Sequence, residues 1–203
     1  MIPDFLVTHS GGFHADELLS SVILTRLFPQ ARIVRSRAPE WITPGEDRII
    51  YDVGGTYDPA AGIFDHHQRG APLRDDGQPY SSFGLIWKHY GRDYLTAFGL
   101  PEAHVEAMHS SFDASFVLPV DLTDNGALSP SGPLAGLTLP ALLETLKPVF
   151  DETDPEADNR APSTRPLPLP AVLLRPGSPR VPRNCGLRRS CIGQSKLRGR
   201  GVF

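Results

Sequence analysis

The stretch FLVTHSGGFHADELLSSVILTRL, residues 5–27, decides the fold class. Phe5-Leu6-Val7-Thr8 is a short apolar, partly β-branched run that ends at His9 and the Gly11-Gly12 pair. Asp16 and Glu17 then open a segment with apolar residues at Leu18, Leu19, Val22, Ile23 and Leu27, a helical spacing with acids in the first turn. Strand, glycine turn and helix in this order are the first half of a βαβ unit. Working outward, a second strand is expected over Ala31–Arg35 and a third over Arg48–Val53. Each apolar run is short, as in buried parallel strands. Helical spacing returns at Phe83, Trp87, Tyr90, Tyr94 and Phe98, and again at Val105, Met108, Phe112 and Phe116. Segments 54–81 and 125–139 are rich in glycine and proline and are expected as loops. The expected fold is therefore α/β, a mainly parallel sheet flanked by helices.

Charge divides the 203-residue chain. All 23 acidic residues lie at or before Asp158, with ten basic residues before position 160. From Arg160 onward there are ten basic residues and no acid. All seven histidines fall between His9 and His109. The expected organisation is a domain over residues 1–158 and a basic tail over 159–203. The tail carries seven prolines from Arg160 on, in strings such as RPLPLPAVLLRPGSPRVPR, and offers little apolar surface to offset chain entropy, so disorder is expected there. Two explanations stand for it: a basic arm for a polyanion, or an out-of-frame extension of GC-rich coding DNA. Cys185 and Cys191 are too few and too badly placed for a disulfide scaffold or a thiolate zinc site. The sequence has no apolar run long enough for a membrane span and no signal-type start, so a cytoplasmic location and no membrane partner are the default expectations.

In a parallel α/β sheet, ligands gather beyond the carboxyl ends of the strands. His9 and His14-Ala15-Asp16 follow the first strand, Asp52 closes the third, and Asp65-His66-His67 follows the apolar pair Ile63-Phe64. Asp121 and Asp124, before Asn125-Gly126, end the last helical pattern and share a face if that turn is helical. Any one of these clusters alone reads as a turn, a cap or a buried hydrogen-bonding group. Their common placement at element ends favours a metal site. Imidazoles and carboxylates in similar number, without thiolate, suit Mn²⁺, Mg²⁺ or Zn²⁺, and several carboxylates argue for two ions. His89, His104 and His109 sit in helical stretches apart from these clusters and are read as structural.

The strings VTHSGGFHADELLSSVIL (7–24), IIYDVGG (49–55), GIFDHHQRG (62–70), YSSFGLIWKHYG (80–91) and VDLTDNGAL (120–128) resemble, in order and spacing, the melanocyte-proliferating-gene family of metal-dependent hydrolases. That family looks related to the DHH phosphoesterases, and the resemblance covers residues 4–158. It implies a DHH-type domain holding two divalent ions, usually manganese, that hydrolyses a phosphodiester or phosphoanhydride. Eukaryotic members are described as 3′–5′ RNA exonucleases of nucleus and mitochondria. The implied substrate is thus RNA or a phosphorylated small molecule, and the implied location is nuclear or mitochondrial for a eukaryotic chain and cytoplasmic for a bacterial one. Carried onto this sequence, the resemblance implies that His9 and His14 bind one ion, with His14 where many DHH enzymes have aspartate. It implies that Asp16 binds the second, that Asp52 bridges both, and that His66 with Asp121 or Asp124 completes the set of ligands on the second ion. Asp65 then orients an imidazole, His67 faces the phosphate, and Arg69 is a phosphate contact. Relatives continue into a second α/β region that closes over substrate, whereas the basic tail stands in its place here. A catalytic first domain, a truncated inactive product and a non-catalytic metal-binding protein all remain compatible with the residues.

Overall fold

The computed structural model describes residues 2–133 and 135–145. Residues 146–203, with the whole proposed tail and the boundary at 158, lie outside the described residues. The first unit forms as its sequence directs. Strand β1 (Phe5–Thr8) has Leu6, Val7 and Thr8 almost wholly buried, which marks a central strand. Helix α1 (Ala15–Leu27) follows the glycine turn. The His14 backbone N–H donates to the Glu17 carboxylate at 2.8 and 2.7 Å, which satisfies one of the amides at the helix start. The helix stops at Phe28, just before Pro29.

β1 pairs in parallel with β2 (Arg32–Arg35) on one side and β3 (Arg48–Tyr51) on the other. β3 pairs in parallel with β5 (Ile63–Phe64), and β4 (Tyr57–Asp58) closes the edge antiparallel to β5. The strand order is β2-β1-β3-β5-β4, a mostly parallel sheet with one antiparallel edge. Segment 54–81 is therefore more than a loop: it contains this hairpin, whose strands of two residues each are too short for alternation to register. β3 also ends two residues earlier than expected, because Asp52 adopts φ 56° and leaves the extended region.

Helices cover the two faces unequally. Leu6, Ile49, Tyr51 and Phe64 point to the larger core, which packs against α1, α3 (Ser82–Ala97), α4 (Glu102–Phe112) and α5 (Leu118–Asp124). Trp87, Phe83, Leu85 and Ile86 are fully buried there, each such side chain stabilising the fold by roughly 1.5–3 kcal/mol or more. Val7, Ile50, Val53 and Ile63 face the other way, onto Trp41 and Ile42 of a single turn of helix, α2 (Pro39–Ile42), which has no periodic signature in the sequence. Between α4 and α5 the chain passes through a π-helical turn, Asp113–Val117, so the last helical pattern runs on to Asp124 with one widened turn. A final short helix, α6 (Leu139–Glu144), buries Leu143 in the large core. No helix among the described residues is long and apolar enough to cross a membrane.

Candidate metal centre

The carboxyl ends of β1, β3 and β5 deliver His9, Asp52 and the Asp65-His66-His67 triplet to one crevice. The start of α1 adds His14, Asp16 and Glu17, and the last turn of α5 adds Asp124. Asp52 sits at the middle. One of its carboxylate oxygens, Oδ2, is 3.2 Å from His9 Nε2, and the other, Oδ1, is 3.4 Å from His66 Nε2. Asp52 groups with His9, His14 and Glu17 on one side and with His66 and His67 on the other, with His67 Nδ1 3.6 Å from Oδ1, while Asp16, His66 and Asp124 form a third group. His66 Nε2 is 3.7 Å from Asp16 Oδ2 and 3.4 Å from Asp124 Oδ2. Each group brings ligand atoms within 4.8 Å of one another. The structure thus brings together His9, His14, Asp16, Asp52, His66 and Asp124.

The electrostatics show how such a crevice could take cations. Burial holds the Asp16 carboxyl well above the ordinary carboxylate range, and Asp52, Asp124 and Glu17 push it the same way. Glu17 is raised by burial and by Asp52, and Asp124 by burial against the pull of His66. Burial also acts on Asp52, but His66 and His9 outweigh it and hold that carboxyl below its usual value. His66 is raised, since Asp52 and Asp124 overcome the effect of burial. Both oxygens of Asp16, Oδ1 of Asp52 and Nε2 of His66 are buried with no well-directed hydrogen bond among the described residues. Buried polar atoms are rarely left in that state. Divalent cations would engage all four atoms and neutralise the carboxylates, so the residues present fit a metal-binding role.

Local backbone features aim these groups. Asp52 in the left-handed region is uncommon for a residue with a Cβ, and such outliers concentrate at functional sites. Gly54 and Gly55 continue with φ 110° and 70°, which turns the chain so that the Gly55 N–H donates to Asp65 Oδ2 at 2.6 Å. Asp65 Oδ1 accepts from the backbone N–H of His66 at 2.7 Å and contacts His67 Nδ1 at 2.7 Å. Asp65 is therefore fully occupied in orienting the triplet. His67 is 62% exposed at its side chain, with Nδ1 held by Asp65 and a pKa raised chiefly by that bond. Arg69 is exposed on the same loop, and no contact places it in the cluster.

Asp121 goes elsewhere. Its carboxylate accepts from Arg74 Nη2 at 2.6 Å, Ser81 Oγ at 2.7 Å and the Gly84 N–H at 3.0 Å, at the start of α3. Of the two aspartates on α5, the structure brings Asp124 to His66 and turns Asp121 into the helix packing. Glu17 is the group that sequence reasoning left out. Its position at the third residue of α1 reads as a cap, which it is, yet its carboxylate also lies 3.5 Å from His9 Nε2 and 3.6 Å from Arg35 Nη2. The spacing His14-x-x-Glu17 after a strand marks the cap but not the approach to His9. The other histidines stay outside the crevice: His109 stacks on Trp87 with ring centroids 5.0 Å apart, His89 bonds Tyr57 at 2.7 Å, and His104 is exposed.

Residues 5–164 match the model of the MYG1 exonuclease family, described as uncharacterised protein family UPF0160. The chain belongs to this family. Among its relatives are the MYG1 protein of Schizosaccharomyces pombe, 39% identical over 163 residues (72% of this chain and 48% of the relative), and the human MYG1 exonuclease, 35% identical over 176 residues (78% and 46%). The MYG1 protein of Saccharomyces cerevisiae is 34% identical over 168 residues. The chain spans about half the length of these MYG1 relatives. No solved structure matches it.

Proposed function

We propose that residues 1–158 form a divalent-metal-dependent phosphodiester hydrolase of the DHH type, acting on RNA from the 3′ end with two ions, Mn²⁺ before Mg²⁺ or Zn²⁺. The observation that carries it is Asp52, whose two oxygens face two separate imidazole-carboxylate groups, as a carboxylate shared between two ions must. The exonuclease names of the human and bovine relatives support nucleic acid as the substrate class. His9, His14 and Glu17 would hold one ion, Asp16, His66 and Asp124 the other, with Asp52 common to both. Bound there, a pair of divalent ions would supply Lewis acidity to a water and to the attacked phosphate. The chain's own residues do the rest. Asp65 fixes the His67 ring through Nδ1, so the exposed Nε2 side is available to hold a proton against a phosphate oxygen. A cleft of about 370 Å³ opens beside Asp52, Asp65 and His67, walled by Ile42 and Val53 with Arg37 at its edge, and offers a nucleotide an apolar wall and a cation. Arg69, exposed on the same loop as His67, would serve as a phosphate contact.

A second reading is a metal-binding protein without catalysis, since the same buried donor set would hold ions whether or not a substrate is turned over. One experiment separates the two. Desalted protein is analysed for bound Mn²⁺ by atomic emission and incubated with RNA labelled at its 5′ end. About two Mn²⁺ per chain and a ladder shortening from the 3′ end is the expected result. Metal without shortening supports the second reading, and folded protein with neither overturns the metal centre itself.

A further inference from the structure

We propose that Asn125 is a positioning residue that fixes His66 as its Nδ1–H tautomer, leaving the Nε2 lone pair facing Asp52, Asp16 and Asp124. The inference rests on the metal-centre reading for its purpose but on hydrogen-bond valence for its content. Asn125 lies one residue beyond α5, and one end of its side-chain amide faces two backbone carbonyls, those of Tyr80 at 3.1 Å and Asp121 at 2.9 Å. Carbonyl oxygens only accept, so that end must be the NH₂ group, with both its hydrogens committed. The orientation of the amide is thereby forced, and the opposite end must be the oxygen. That oxygen, Oδ1, lies 3.4 Å from His66 Nδ1. It can only accept, so a hydrogen bond between the two atoms requires the proton on Nδ1. A neutral imidazole protonated at Nδ1 is unprotonated at Nε2, and Nε2 is the atom that lies within 3.4–3.7 Å of three carboxylates with no well-directed partner of its own.

Nothing else among the described residues is seen to do this for His66. Asp65, the carboxylate beside it in sequence, is spent on His67 Nδ1 and on backbone amides, and touches the His66 backbone rather than its ring. An orienting partner on the far nitrogen of a ligand histidine is worth roughly 10–100-fold in metal affinity. Asn125 adds a geometric coupling as well: the carbonyls that hold it belong to the residue before the α3 cap and to the α5 turn. The His66 ring is thus tied to the α3–α5 contact rather than to its own loop.

The test reads the tautomer directly. Protein labelled with ¹⁵N at histidine is studied metal-free at a pH alkaline enough to leave the rings neutral, and the His66 signals are assigned by their loss in His66→Gln. The expected pattern is Nδ1–H for His66 in the parent, a shift toward Nε2–H in Asn125→Leu, and a 10–100-fold weaker Mn²⁺ affinity in that variant by calorimetry. An Nε2–H ring in the parent overturns the proposal, and it does so whether or not Asn125→Leu folds. A folded Asn125→Leu with unchanged tautomer and unchanged Mn²⁺ affinity overturns it equally. If the parent shows Nδ1–H but binds no Mn²⁺, the positioning role of Asn125 stands and the metal-centre reading falls.

Discussion

Asp52 combines two demands in one residue: a left-handed backbone and a carboxylate shared between two groups of ligands. The two can be separated by substitution. Asparagine tolerates the left-handed region about as well as aspartate, so Asp52→Asn keeps the turn and the side-chain shape while removing the charge. The expected outcome is a folded protein with the parent circular dichroism, Mn²⁺ stoichiometry far below two, and loss of any metal-dependent hydrolysis of bis-nitrophenyl phosphate. His104→Ala, at an exposed helical position, should leave all three unchanged. Equal losses in both variants would show that the charge at Asp52 is not what matters. At this scale the sequence was legible where a residue's type and its place after a strand agreed, as for His9, Asp16 and Asp52. It was opaque where one residue has two tasks. Glu17 caps α1 through His14 N–H and also faces His9, and only the first task follows from its spacing.

The arrangement of helices depends on a polar joint that no periodicity reveals. Asp121 is wholly buried between α5 and α3, bound to Arg74, Ser81 and the Gly84 amide, while Arg74 also reaches Asp113 in the π-helical turn at 2.5 Å. Gly84 has to be glycine, because a Cβ there would collide with the Asp121 carboxylate. The string YSSFG thus marks a joint: Ser81 bonds Asp121, Ser82 Oγ donates to the Phe64 carbonyl of β5 at 2.9 Å, and Gly84 allows the approach. From sequence alone Asp121 and Asp124 are equivalent candidates, since helical spacing fixes a shared face but not which side chain turns into the core. The short elements α2 and β4 were illegible for a related reason, since two to four residues cannot display a period, and β5 showed only as the apolar pair Ile63-Phe64. Removing a buried partner from a charge pair costs about 3–5 kcal/mol. Asp121→Ala is therefore expected to lower unfolding free energy in urea by about that amount, yet to keep metal stoichiometry at low temperature, where the domain still folds. Loss of metal from a variant of unchanged stability would instead make Asp121 a ligand.

Taken whole, the domain concentrates buried acids at the strand ends, and its stability without metal must respond to pH in a particular direction. Asp16, Glu17 and Asp124 have raised pKa values in the folded chain, so the folded state keeps protons that the unfolded state releases above the ordinary values of 3.8 and 4.5. His66 is likewise raised from 6.5, and its stabilising charge is present below that value and lost as pH climbs through the folded pKa. All four groups make metal-free stability fall as pH rises. Asp52 and Asp65 act oppositely, but their contribution is already complete above 3.8 and declines only in more acid solution. His89 and His109, lowered by burial, oppose the fall as pH passes their folded values toward 6.5, while Asp121, raised to about 6, and His67, also raised, add to it, so the downward groups outnumber the two histidines. Residues 160–203 hold no acid or histidine, so their basic side chains stay charged across this range and add no slope. The metal-free protein is therefore expected to melt at a higher temperature near about pH 5 than near about pH 7.5. Saturating Mn²⁺ should reverse the order, because ions compete with protons for the same oxygens and imidazoles and bind best when these are deprotonated. Calorimetric melting at both pH values, with and without Mn²⁺, measures this. Parallel shifts with no change of slope would mean that the ions bind somewhere other than the buried carboxylates. A metal-free midpoint that rises with pH would mean that Asp16 and its neighbours are ionised in the folded state without help, which would remove the electrostatic case for the centre.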